Sequence, residues 1–401
     1  MLLSLSIVLL SLLKQGFAFH IFETRTNRAS PLSTQATDNL LRSQVLSDFI
    51  PTTLDLGPTI ASGRKRIPDD DHPFQSPGPT DIRGGCPGLN IMANYGYISR
   101  NGITNVSELM YGMQEMLGFG PDISAVIVAL GVKASFDLTS LKTSIGQTDS
   151  RTDGPNSALF GTAPGFFSKA SHNKFEVDGS LSRVDGYFAK GNTDRFDSDH
   201  WKKYRKLAVD KFGGLTSIDF DGAARFEQYK ECREKNPQCQ WAVGEQFPLY
   251  IAQAFVGDTM TSADANGNLL PPDVKSIQTF FGIIENSDGT FSRGDNKLPP
   301  GPDGFWYRRT VPLSLPQQAA TLNKTYLAYP VEFGRNNGTL GSWNSDSVDL
   351  RNIEQIGAAC YLLQQIRNPQ YSRYTDAATI NKLGILLNNT LQPAFQQLGC
   401  E

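Results

Sequence analysis

Long apolar runs are nearly absent. Only residues 2–13, Leu-Leu-Ser-Leu-Ser-Ile-Val-Leu-Leu-Ser-Leu-Leu, make one, and that is too short to span a bilayer comfortably. No later stretch is apolar enough to cross a membrane, so stable membrane association is not expected. Blocks of positive charge are missing too: 37 Lys and Arg are scattered against 40 Asp and Glu, for a net charge of −3. Without a basic patch, nucleic-acid binding is not expected. Cysteine is sparse at five residues, Cys86, Cys232, Cys239, Cys360 and Cys400. An odd number leaves at least one free, metal-bound or bridged to another chain. A zinc site is disfavoured because no second ligand pair has the usual spacing. There is no internal repeat and little strand-like alternation. What remains is a globular composition: 401 residues, 39% hydrophobic and 19% charged.

The apolar run has the length of a signal peptide, and Gly16 and Ala18 form a small-x-small site, so cleavage after Ala18 is expected. No Lys or Arg precedes the run, which keeps a membrane anchor open as the alternative. Residues 1–18 are thus read as a signal peptide, 19–70 as a polar, pro-like segment rich in Ser, Thr and Pro, and 71–401 as a single domain. The dibasic pair Lys65-Arg66 is either a processing site or a solvated charge run. Asn105, Asn323, Asn337 and Asn388 each begin an Asn-x-Ser/Thr sequon. In an exported chain each is a candidate glycan site.

The periodicity predicts a mostly α single domain with long loops. Thr104 or Asn105 can cap a helix carrying Val106, Leu109, Met110 and Met113, which Gly118 can end. The methionines read as core filler. Pro121-Asp122 opens a second helix, although the apolar run from Ile123 to Val132 has the pattern of a buried strand as well. Pro272-Asp273 starts another with Phe280 and Phe281. Residues 353–366 and 379–398 read as two C-terminal helices. Cys232 and Cys239 are close enough to staple a local loop.

The stretch Asp81 to Gly102 is the most informative. Gly84 and Gly85 precede Cys86, and Pro87 follows it. Such a turn is tight and open, with a sulfur at its tip. Neighbouring backbone N–H groups can lower the pKa of that sulfur, which is how a thiolate becomes an iron ligand. Thirteen residues here, among them Arg83, Cys86, Pro87, Asn90, Asn94 and Arg100, match the proximal loop of the haem-thiolate peroxidases. The stretch therefore resembles the family of fungal chloroperoxidase and the unspecific peroxygenases. Gly85, Tyr95 and Ser99 depart from its pattern, standing where the family has Pro, His and Pro. The resemblance implies a multi-helix haem-binding fold of the chloroperoxidase type. It also implies haem b with Cys86 as the axial iron ligand, and a disulfide at the C-terminal spacing of Cys360 and Cys400.

Two further segments follow in family order. Glu176-Val-Asp-Gly-Ser180 offers the hard oxygen donors that Mg²⁺ takes. Here Glu176, Asp178, Ser180, Leu181, Ser182 and Arg183 match the family motif. By that resemblance Mg²⁺, or a similar divalent cation, takes the Glu176 carboxylate, the Val177 carbonyl and the Ser180 hydroxyl beside a haem propionate. In Trp241-Ala-Val-Gly-Glu245-Gln-Phe-Pro248, Glu245 stands in an apolar context similar to that of the family's acid–base glutamate. Burial would raise its pKa into a range useful for proton transfer. Phe175 and Phe247 are candidate pocket residues, with ordinary core as the alternative for each. The assisting Arg or His of the family is missing from its usual place: Gln238 and Val177 stand there. His172, Arg225 and Arg233 are the residues left to substitute. The implied function is a secreted, N-glycosylated haem-thiolate peroxidase or peroxygenase that uses H₂O₂ on small organic substrates. The alternatives are a halide-oxidising haloperoxidase and a secreted haem-binding protein with little turnover.

Overall fold

The computed structural model describes residues 49–400, apart from 155–156, 158–160, 168–177, 193, 265, 349–354, 370–371, 373 and 375. The expected signal peptide, most of the polar segment, and Phe175, Glu176, Val177 and His172 therefore lie outside the described residues. The helices are α1 (Pro87–Asn94), α2 (Val106–Glu115), α3 (Pro121–Ala134), α4 (Ser198–Phe212) and α5 (Ile218–Lys235). They continue with α6 (Val243–Thr259), α7 (Val274–Phe281), α8 (Leu315–Ala328), α9 (Gln355–Arg367) and α10 (Ala377–Leu398). Strands are two or three residues long and only clip loops together: β1 (Arg66–Ile67), β2 (Ile103–Asn105), β3 (Lys142–Ser144), β4 (Gln240–Trp241) and β5 (Ile283–Glu285) come first. They are followed by β6 (Phe291–Arg293), β7 (Trp306–Tyr307), β8 (Gly334–Arg335) and β9 (Asn344–Ser345). The antiparallel pairs are β1–β7, β2–β3, β5–β6, and β4–β8–β9 as a three-stranded sheet. The fold is mostly α, as expected.

Local chemistry sets the helix starts. Asn105 is the α2 cap, its side chain accepting from Glu108 N at 2.9 Å. Pro121 opens α3 at a position where the missing N–H costs nothing, and the apolar run 123–132 is helical rather than a strand. Its residues are buried on nearly every side because α3 packs between α2 and α10. Asp273 caps α7 through Ser276 N at 2.7 Å. Met110 and Met113 are core, as read. Helices α8, α5 and α6 pack on one another, and α9 joins α10. Two disulfides form, Cys232–Cys239 across the α5–β4 connection and Cys360–Cys400 between α9 and the end of α10. Cys86 is in neither.

Residues 49–70 are built into the fold. Ile50, Leu54 and Ile67 are buried, and Arg308 Nε donates to Gly63 O at 2.9 Å. Lys65 pairs with Glu115 at 2.6 Å, and Arg66 begins β1 opposite Tyr307. No described helix is long and apolar enough to cross a membrane.

Candidate active site

Cys86 is the N-cap of α1, with extended backbone, and Pro87 takes the first helical position. A helix N-terminus carries partial positive charge and favours an anion such as a thiolate. The turn around it is fixed by the residues that match the family loop. Arg83 Nε donates to Asn94 Oδ1 at 2.8 Å, and its Nη1 to Ile82 O and Arg100 O at 2.7 and 2.8 Å. Asn90 Oδ1 accepts from Gly84 N at 3.0 Å, and its Nδ2 donates to Gly84 O at 2.7 Å. Asn94 Nδ2 donates to Asn296 O at 2.9 Å, which ties α1 to the loop after β6. Gly102 turns with φ of +80°, and a Cβ there would lie 2.2 Å from Ile82 O, so no larger residue fits.

Cys86 lies in the wall of a cavity of about 290 Å³. Most of the wall is apolar. It includes Leu89 and Met92 of α1, the rings of Phe119, Phe166 and Phe167, and the α6 face of Leu249, Ala252 and Val256. Three arginines, Arg183, Arg225 and Arg293, also reach the wall. Arg183 Nε donates to Ser180 Oγ at 3.1 Å, and Arg293 Nη2 donates to Gly84 O at 3.0 Å. Burial pushes the Arg293 guanidinium below its ordinary range; Asp194 opposes this and the charge of Arg183 adds to it. Arg225 is fully buried. Its Nη1 donates to Gly179 O at 2.5 Å and to Gln228 Oε1 at 3.1 Å, and its Nη2 donates to Gln246 Oε1. The guanidinium carbon sits 4.8 Å from the ring centres of both Trp241 and Tyr250.

Glu245 lies in the first turn of α6, half-buried. Burial pushes its carboxyl above the ordinary range, against the pull of Arg335. It is one turn before Pro248 and Leu249 on the same helix face. Those two line the cavity; Glu245 itself is not among the lining residues. Ser180 does line it, and its carbonyl contacts His200 Nε2 at 2.6 Å. Phe247 is on α6, but its side chain lies outside the described set, as do Phe175, Glu176 and Val177. Of the three substitutes for the missing helper, Arg225 reaches the cavity. Arg233 instead pairs with Glu332 at 2.8 Å and stacks on Trp343, away from it.

The segment after the expected cation site carries two buried carboxyls. Asp178 accepts from Gln240 N at 2.7 Å and Gly186 N at 3.0 Å, and Asp185 accepts from Gly179 N at 3.1 Å. Burial raises both, with Asp185 pushed up to about 6. Asp178 also lies beside Cys232 and Cys239, whose sulfurs are bonded to each other and so offer no thiolate pair. The sequence reading missed Arg183 and Arg293 as wall residues, and it missed Gln253. One signal was available: Leu249, Ala252, Gln253 and Val256 form an i, i+3, i+4, i+7 stripe on α6.

The description "Peroxidase, family 2" matches residues 72–311. The dothistromin biosynthesis peroxidase of Dothistroma septosporum is 30% identical over 295 residues, 71% of this chain and 66% of its own length. An aromatic peroxidase of Fusarium equiseti is 30% identical over 68% of this chain and 62% of its own length. The chain thus spans just under two thirds of these two relatives. An aromatic peroxygenase of Cyclocybe aegerita is 26% identical over 368 residues, 90% of each chain. With the matched region running from His72 through the Cys86 turn and the cavity wall to β7, the chain belongs to peroxidase family 2, the fungal haem-thiolate peroxidases.

Proposed function

We propose that this chain is an exported haem-thiolate peroxidase or peroxygenase that uses hydrogen peroxide to oxidise or oxygenate small organic molecules. One observation carries the reading: a cysteine outside both disulfides caps a helix in the wall of a mainly apolar cavity. The donor set suits haem b. A sulfur at a helix N-terminus suits the iron, and Arg183 and Arg293, two cations close together beside the Cys86 turn, suit the two propionates. When bound, a thiolate-ligated haem supplies the oxidising chemistry drawn from peroxide. The chain's own residues hold and orient around it. Cys86 donates electron density, and the α1 terminus keeps the sulfur anionic. Glu245 takes a proton from one peroxide oxygen and returns it to the leaving one, with a raised pKa suited to that task. Arg225 sets a fixed positive charge in the wall. Glu176, Val177 and Ser180 would hold Mg²⁺ or a similar divalent cation beside one propionate. The mainly apolar wall favours organic substrates over halide. Two disulfides fit an oxidising, extracellular compartment, and the leader and sequons support export.

The reading with little turnover draws on a specific observation: Glu245 is not a lining residue. The absorption spectrum of the reduced, CO-treated protein tests the cofactor part, since a thiolate shifts the main band far to the red of a histidine ligand. Cys86→Ala should lose that spectrum and most of the haem. Unchanged haem content and CO spectrum in the variant would overturn the proposal.

A further inference from the structure

Gln253 projects from α6 into the cavity wall, and it is almost wholly buried. A buried amide must have its polar atoms assigned by what surrounds them. Here the surroundings leave no choice. Gln253 Nε2 lies 3.3 Å from Asp221 O and 3.1 Å from Asp221 Oδ1. A backbone carbonyl can only accept, so the atom facing it is the NH₂, which donates to Asp221. Asp221 is fixed on α5 and fully buried. The amide is therefore locked, and Oε1 takes no hydrogen bond from any described residue. The other polar side chain that α6 brings to the cavity, Thr259, sends its hydroxyl hydrogen to Phe255 O at 2.8 Å. Beside Leu249, Ala252 and Val256, Gln253 thus offers Oε1 as an acceptor, with its NH₂ turned to Asp221.

We infer that Gln253 is a specificity-determining residue: its Oε1 accepts a hydrogen bond from a hydroxyl or N–H on an otherwise apolar ligand, while Asp221 acts as a positioning residue behind it. The substrate class is then an apolar molecule bearing a donor, as in a phenol. The same molecule with that donor capped leaves Oε1 unpaired in a dry wall, and an unpaired buried acceptor is penalised. This inference rests on reading the cavity as the substrate site.

The test is a binding measurement without peroxide, on the haem-loaded protein. 2-Naphthol and 2-methoxynaphthalene are titrated by calorimetry into the native protein and into Gln253→Met, with haem content and circular dichroism reporting fold. The native protein should hold the naphthol roughly 3- to 10-fold tighter than the ether, the ratio one neutral hydrogen bond supplies. Gln253→Met should bring the ratio to about one, chiefly by weakening the naphthol. Equal binding of the pair by the native protein overturns the inference alone, and so does an unchanged ratio in a folded Gln253→Met. If neither compound binds the native protein, the reading of the cavity as the substrate site falls and the inference falls with it. The native comparison decides the matter even if the variant does not fold.

Discussion

A Cβ on Gly85 would lie 2.4 Å from both Arg183 Nη1 and a Phe167 ring carbon. The family's proline could not stand there with those two side chains in place. The substitution and the close approach of a cavity arginine to the Cys86 turn are one local arrangement. Ser99 has a similar reason. Its N–H donates to Glu108 Oε2 at 2.8 Å and its hydroxyl to Glu108 Oε1 at 2.9 Å, and proline offers neither donor. Glu245 is the residue whose chemistry is most exposed to test. Glu245→Gln keeps shape and removes the titrating site, so haem binding should persist and melting temperature should barely move. Peroxide-driven turnover should fall by roughly 10²- to 10⁴-fold, the usual weight of general acid–base help. Stopped-flow mixing with peroxide gives the measurement. A native-like rate in the variant would move the proton transfer to another residue.

The segment from Asp178 to Asp185 is joined to neighbouring elements through buried carboxylates. Asp185 accepts from Gly179 N on one side and from Asn236 Nδ2, just past α5, at 3.2 Å on the other. Its pKa is raised from 3.8 to about 6, burial being the main cause. Between those values the folded chain holds more protons than the unfolded one, so stability falls as pH rises and the loss levels off above about 6. Asp185→Asn removes it. Melting temperatures of the two proteins across pH 3.5 to 7 should therefore converge, or cross in the variant's favour, as pH rises. A difference that stays constant with pH would rule this out. The elements themselves were unevenly legible. Apolar helices with a local start signal, the caps of α2 and α7 and Pro121 of α3, were readable because start and core face lie close together in the chain. α4 and α5 were missed because charged residues crowd them, and their buried faces are set by tertiary contacts with few apolar residues. α8 was missed despite a signal, the capping box of Ser314 and Gln317.

At the scale of the whole molecule, the Cys86 turn was legible because its hydrogen bonds are mostly local. The cavity was not, because its wall joins residues from Gly85 to Arg293, and no spacing rule relates Arg183, Gln253 and Arg293 across that distance. The same gap separates sequons from glycan sites. Four sequons are equal in sequence, but the fold makes them unequal. Asn323 is 2% exposed on α8, so a glycan there would have no path to solvent. Asn105 holds its amide in the α2 cap, Oδ1 accepting from Glu108 N and Nδ2 donating to Glu108 Oε1 at 3.3 Å, so a sugar on Nδ2 would crowd the second contact. Asn388 sits half-buried on α10, its Oδ1 accepting from Arg367 Nη1 at 3.4 Å. Asn337 alone is exposed, in the connection between β8 and β9, with Gly338 beside it at φ of +82°. Glycans are attached as the chain enters the export pathway, and chains modified where the fold must bury the residue would not reach this structure. Peptide mapping of protein made in a secretory, glycosylating host, with and without endoglycosidase, should find Asn337 occupied in most molecules and Asn323 bare. Substantial occupancy of Asn323 in folded, haem-loaded protein would contradict the packing of α8 against α5 and α6. An unmodified Asn337 in protein made in a secretory host that glycosylates such sequons would remove the support that the sequons lend to secretion.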